Sequence, residues 1–177
     1  DSYISKLVER GYKVAVCEQT EDPAAVKGIV KREVLRIVTP GTITSGEMLN
    51  ERENNYLASV YLAKDRFGFS YCDISTGEMN VTEFPEEEGK PALLNELVRI
   101  KASEIIVNED FIDHIKKEEL EGSCDARINI LPGRYYSEDE TADAIFRQFG
   151  TRSPAGIGLD EKTSAALSLG ALISYLL

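Results

Sequence analysis

Long apolar runs are missing from this 177-residue chain. No stretch of about 18 apolar residues occurs, so no membrane span is expected. The first residues, Asp1-Ser2-Tyr3-Ile4, have neither the basic nor the apolar segment of a secretory signal. Cysteine is scarce: Cys17, Cys72 and Cys124 are odd in number, far apart and in no CxxC pair. That speaks against a disulfide framework and against a cysteine-based zinc site. Free, mostly buried thiols in a reducing cytoplasm are expected. His114 is the only histidine and lies close to Lys116 and Lys117 in a polar stretch. It reads as a surface residue, with no Ser/His/Asp or Cys/His set to join. No GxxxxGKS or GxxxxGKT string occurs, so no phosphate-cradling ATP loop is expected here.

A surplus of positive charge is missing too. The formal net charge is −11, from 20 basic and 31 acidic residues. Residues 1–55 hold eight basic and nine acidic residues, which leaves 12 against 22 for the remainder. A protein that grips duplex DNA alone needs a basic footprint, because phosphate neutralisation supplies most of the affinity. Residues 56–177 do not offer one. Any DNA contact therefore falls to the first segment or to parts outside this sequence.

What is present is an ordinary globular composition, 42% hydrophobic and 29% charged. This is enough for one core, or one core plus a flanking piece. The chain does not begin with methionine and ends on Ser174-Tyr175-Leu176-Leu177 within a helical pattern. Both ends read as cut, so a longer parent chain is expected.

Residues 2–10 place Ile4, Leu7 and Val8 on one helical face, with Gly11 as the stop. Lys13–Glu18 and Glu33–Thr39 are β-branched and read as strands, the second stopped by Pro40-Gly41. Between them, Asp22-Pro23 marks a turn or a helix start. Residues 43–54 are polar with little periodicity and read as a linker.

Three strands then follow in succession, 55–64, 67–74 and 78–84, joined by turns at 64–66 and 75–77. In the first, Tyr56, Ala58 and Val60 alternate with Leu57, Ser59 and Tyr61. Residues 85–90 read as an acidic loop. Pro91 opens a helix to about Ala102 that buries Leu93, Leu94, Leu97, Val98 and Ile100. A strand at 104–107, a short helix capped by Asp110 and a strand at 128–131 come next. Ser137 caps a helix to about Phe149 that buries Ala142, Ile145, Phe146 and Phe149. After a Gly/Pro loop, Asp160 caps a final apolar helix. Three meander strands followed by alternating helices and strands is the RNase H-like order, an α/β fold.

Gly11–Pro23 (GYKVAVCEQTEDP) and Val30–Thr42 (VKREVLRIVTPGT) closely resemble the end of the mismatch-recognition domain of the MutS family of DNA mismatch-repair proteins. Glu53–Ala58, Asp73–Glu78 and Gln148–Gly150 are similar to that family's connector domain. Leu159-Asp160 with Ala165–Leu177 resembles the start of its lever/clamp region. The resemblance spans essentially the whole chain and is weakest over 85–140. It implies the C-terminal part of the mismatch-recognition domain at 1–42, a linker at 43–54, an RNase H-like connector at 55–158 and the first lever/clamp helix at 159–177. It places the Phe-x-Glu mismatch wedge upstream, and the clamp and P-loop ATPase downstream. The whole family protein, expected as a cytoplasmic homodimer, binds mismatched double-stranded DNA, uses ATP with magnesium and recruits MutL. The connector resembles the part that docks MutL and relays the nucleotide state, so no cofactor and no catalysis are expected in this portion.

Three residue sets follow. Lys27, Lys31, Arg32 and Arg36 form the one basic cluster, read either as a solvated face or as phosphate contacts that would position a duplex rather than read its bases. On helix 137–149 the outer face carries Glu138, Asp139, Asp143, Arg147 and Gln148, read either as solvated or as a partner surface. The resemblance puts MutL docking near Asp143, Ala144 and Arg147. The alternative function is an RNase H-like nuclease in which Asp73, with Glu78, Glu104 or Asp110, holds magnesium. Asp73 followed by Ser75-Thr76-Gly77 reads more simply as turn chemistry. The same string also resembles a phosphate-binding turn.

Overall fold

A computed structural model describes residues 2–22, 28–43, 54–63, 65–116, 119–120, 124–151, 153–160 and 162–177. Lys27, most of the expected 43–54 linker and Pro23 of the expected Asp22-Pro23 turn or helix start lie outside the described residues.

Helix α1 (Ser2–Glu9) leads into a two-stranded antiparallel ribbon of β1 (Val14–Gln19) and β2 (Arg32–Val38). A 3-10 turn, Pro40–Thr42, ends this unit. Strands β3 (Tyr56–Ala63), β4 (Arg66–Asp73) and β5 (Glu78–Pro85) form an antiparallel meander. Helix α2 (Glu86–Ile100), strand β6 (Glu104–Val107), helix α3 (Glu109–His114) and strand β7 (Arg127–Ile130) follow. Helices α4 (Glu138–Phe149) and α5 (Thr163–Leu176) close the chain. The sheet order is β5-β4-β3-β6-β7, with β6 parallel to β3 and β7 parallel to β6. The chain is thus mixed α/β.

Strict alternation along β3 divides the core. Ala58, Val60 and Leu62 face α2 and α3, where Leu93, Leu97, Ile100 and Phe111 are buried. Leu57 faces the other way, with Ile106, Tyr136, Ala171 and Leu172. Helix α5 is buried from Ser164 to Ile173 and lies on this second face, with α4 packed outside it. Contact is close: a Cβ on Gly68 of β4 would stand 1.8 Å from the Ser164 carbonyl oxygen, so only glycine fits. The helix that the sequence assigns to the next region is therefore packed into the core of this sheet.

Several local expectations change. Residues 86–90 are the first turns of α2, not a loop. Glu86 and Glu87 sit where the N-terminal end of the helix dipole favours carboxylates. Pro91 lies one turn inside, where its missing N–H forgoes the bond to the Glu87 carbonyl. Val98 is 49% exposed rather than buried. Asn108, not Asp110, precedes α3. Its side chain cannot cap the helix because its amide pairs with the Leu62 N–H and carbonyl, both at 3.1 Å, which adds one more rung beside β3. On α4, Ser137 is the cap as expected, but the buried face is Thr141, Ala144 and Ile145. Ala142, Phe146 and Phe149 are exposed. Lys162 rather than Asp160 precedes α5. All three thiols are free, but Cys17 is exposed and only Cys72 is fully buried. Burial, and then the neighbouring Asp73, push the Cys72 thiol up to about 12.

Candidate functional site at the Glu104 joint

Strand β6, Glu-Ile-Ile-Val, is buried at all four positions. A carboxylate heading such a strand must find donors. Register sets Glu104 beside Leu57 on the α5 face. There it is fully buried and accepts four hydrogen bonds from three directions. Its Oε2 takes the Thr39 hydroxyl and, at 3.0 Å, the Gly41 N–H. Its Oε1 takes the Asn129 amide from β7 and, at 2.6 Å, the Tyr175 hydroxyl from α5.

The Thr39 side comes from a tight turn. The Thr39 N–H donates to the Thr42 hydroxyl at 2.9 Å, and the Thr42 N–H donates back to the Thr39 carbonyl at 3.1 Å. Pro40 sets the backbone at the first position of this turn. Gly41 must lack a side chain, since a Cβ there would lie 2.9 Å from Glu104 Cβ and 3.0 Å from Leu57 Cβ. Asn55 adds a second tie: its amide donates to the Pro40 carbonyl at 2.8 Å, and its oxygen accepts the Ser103 hydroxyl at 2.5 Å. Tyr175 also carries Lys13, from the β1 side, with its ammonium 5.2 Å from the ring centre. Burial, then the Glu104 carboxylate as charge and as acceptor, raise the Tyr175 pKa well above its ordinary value, against a smaller opposing effect of Thr39.

The residue sets read from sequence fall elsewhere. Lys31 is paired with Glu33 at 2.6 Å, both of them largely exposed. Arg32 and Arg36, an even number apart, would share a face in a regular strand. A bulge intervenes, because Val16 pairs with Arg36 while Cys17 pairs with Val34. Directly opposite residues share a face, so Arg36 lies with Val16, and Arg32 lies with Gln19 and Cys17 on the reverse. The structure does not bring these two arginines together.

Asp143 and Arg147 are exposed on α4, and Ala144 is buried between them. All three line one shallow hollow of about 280 Å³ with Arg134, Tyr135, Glu140, Ser174 and Leu177. Phe146 and Phe149, on the same helix, are 42% and 44% exposed.

The four carboxylates of the nuclease reading do not converge: only Asp73 and Glu78 are neighbours, as opposed partners on β4 and β5. Asp73 pairs with Tyr56 and so points to the α2 face, opposite to Glu104. Glu78 is exposed at the start of β5, and Asp110 lies on α3 near the other end of β3. Asp73 Oδ1 accepts the Ser75 N–H at 2.9 Å and its hydroxyl at 2.6 Å, while Oδ2 accepts the Asn55 N–H at 3.1 Å. Burial by itself would raise the Asp73 pKa; these bonds together outweigh it and hold the carboxyl below its ordinary value. His114 is exposed, with Nε2 3.5 Å from Glu86. Among the described residues no group of three His, Cys, Asp or Glu side chains could hold a metal ion, and no helix is long and apolar enough to cross a membrane.

The two sides of the joint correspond to two family models. MutS domain I matches residues 1–47, and MutS domain II matches residues 55–177. The chain belongs to the MutS family. A DNA mismatch repair protein MutS from Halothermothrix orenii is 44% identical over 180 residues, covering 99% of this chain and 19% of that relative. One from Caldanaerobacter subterraneus is 41% identical over 176 residues, covering 99% and 20%. One from Staphylococcus aureus is 48% identical over 118 residues, covering 67% and 13%. The chain thus spans no more than about a fifth of the length of these MutS relatives.

Sequence reasoning named Glu104 only as an imagined metal ligand, and it missed Thr39, Gly41, Asn55, Asn129 and Tyr175. One signal was available: a glutamate opening the run Ile105-Ile106-Val107 is a carboxylate that burial obliges to find partners.

Proposed function

We propose that this chain is the connecting portion of a DNA mismatch-repair protein. In this reading its first unit belongs to the mismatched-DNA reader, and its second, non-catalytic, links DNA binding to a distant ATPase and docks MutL. The observation that supports it is the joint itself. The exit of the domain I ribbon is held by buried hydrogen bonds to Glu104 and a part-buried one from Asn55, both of domain II, so a shift of one unit must be felt by the other. Strand order β5-β4-β3-β6-β7, antiparallel then parallel, supports an RNase H-like architecture for the connector. ATP and magnesium would act in the rest of the protein. A cytoplasmic homodimer and MutL as partner belong to the same reading.

MutL docking is tested with the full-length protein, ATP and a mismatched duplex, by measuring MutL binding by interferometry. The substitutions Asp143→Lys and Arg147→Glu reverse two exposed charges on α4 and leave the buried Ala144 in place. Loss of MutL binding with unchanged mismatch affinity supports docking at this hollow. Unchanged MutL binding removes it.

A further inference from the structure

We propose that Glu104 is a two-sided relay whose carboxylate oxygens serve different units, and that Tyr175 sets the grip of domain I through it. Oε2 is held by Thr39 and Gly41 of the domain I exit. Oε1 is held by Asn129 and Tyr175 of domain II. Each oxygen accepts from one N–H and one hydroxyl, so the carboxylate is fixed in its plane from both sides. Tyr175 is the one donor of the four that lies on an α-helix, near the end of α5. Its ring also carries Lys13. A rotation or slide of the end of α5 therefore withdraws one of the two donors from Oε1, leaves that side held by the Asn129 amide alone, and so loosens the Gly41 N–H on Oε2. The relay deepens the connector reading, and its functional consequence rests on that reading; the geometric coupling does not.

Glu104 is a positioning residue, so the test needs a readout that local damage alone would not move. Amide exchange is followed by mass spectrometry on the full-length protein, wild type against Tyr175→Phe. The substitution removes only the hydroxyl on the Oε1 side. Exchange in the segment 39–43 should rise by about five-fold, the equivalent of one neutral hydrogen bond, while β3 and β4 keep their protection. Exchange that rises only in α5, with 39–43 as in wild type, overturns the relay. Glu104→Gln provides the second variant. It keeps the shape, and with its amide nitrogen toward Asn129 and Tyr175, whose groups can flip or rotate to accept, it still accepts Gly41. Segment 39–43 should then remain protected in Glu104→Gln, and exposure there to the degree seen in Tyr175→Phe counts against the relay. ATP-induced release from a mismatched duplex is measured on the same samples. A changed exchange pattern with unchanged release leaves the relay standing and overturns the connector reading instead.

Discussion

Tyr175 and Glu104, 71 positions apart, meet at 2.6 Å across the face of a five-stranded sheet, and the same carboxylate holds the exit of a separate two-stranded ribbon. One buried acidic residue thus joins the first unit, the sheet and the last helix. Replacing it should be far more costly than replacing a surface glutamate.

Glu104→Ala leaves the Gly41 N–H and the Asn129 amide without an acceptor, whereas the Thr39 and Tyr175 hydroxyls can turn to other partners. Two orphaned N–H groups at roughly 1–3 kcal/mol each give an expected loss of about 2–6 kcal/mol. Urea unfolding measures it as a lower midpoint with an unchanged slope. A loss below about 0.5 kcal/mol, the range of an ordinary surface change, would show that the joint contributes nothing.

The Tyr175 hydroxyl carries an alkaline signature. Its folded pKa is raised, by burial first and by Glu104 next. Below about pH 10, the ordinary tyrosine value, both folded and unfolded states keep the proton and the contribution is complete. Above it the unfolded chain releases the proton and the folded chain does not. Stability then falls by up to about 1.4 kcal/mol per pH unit from this group. Burial also raises the Tyr136 phenol, which adds a second contribution of the same sign. Unfolding free energies taken between about pH 8 and pH 11 should therefore fall less steeply in Tyr175→Phe than in wild type. Parallel curves would show that Tyr175 is not shielded.

Asp73 gives the opposite limb. Its folded pKa is lowered by the Ser75 and Asn55 bonds that outweigh its burial. Its stabilisation is present above the unfolded value of about 4 and is lost as pH falls through the folded value. Asp73→Ala should cost about 2–4 kcal/mol near neutral pH, since the Ser75 and Asn55 N–H groups lose a charged acceptor. The gap from wild type should narrow as the pH is taken below about 4, and a gap independent of pH would assign the cost to packing instead.

Much of the domain II sheet was legible because its signals are local. Alternation in Tyr56–Tyr61, the Ser75-Thr76-Gly77 turn and the Ser137 cap each depend on residues near one another in sequence. The misplacements have tertiary causes. The acidic run at 86–88 has the composition of a loop, yet it suits the first turn of a helix. Phe146 and Phe149 have the periodicity of a buried face, but α5 packs against the side bearing Thr141, Ala144 and Ile145. The joint was illegible for a stronger reason: Thr39, Glu104, Asn129 and Tyr175 come from four elements, and nothing in the spacing of one reports the others. The bulge in β2 was equally hidden, because it depends on the pairing of Cys17 with Val34.

That bulge makes a prediction about DNA. In a regular strand Arg32 and Arg36 would point to one side and could both meet the phosphates of a single duplex. Here they point to opposite sides, and Lys31 is already paired with Glu33. A duplex lying along one face of the ribbon can meet only one of the two arginines. Each phosphate contact contributes about one unit to the slope of log affinity against log salt. In the full-length protein, one of Arg32→Ala and Arg36→Ala should lower that slope by about one, and the other should leave it unchanged. The double variant should match the stronger single variant. Mismatch affinities measured by fluorescence anisotropy across a salt series give all four slopes. If both single variants lower the slope and the double variant lowers it by about two, both arginines reach phosphate, and the bulge does not separate them in the DNA complex.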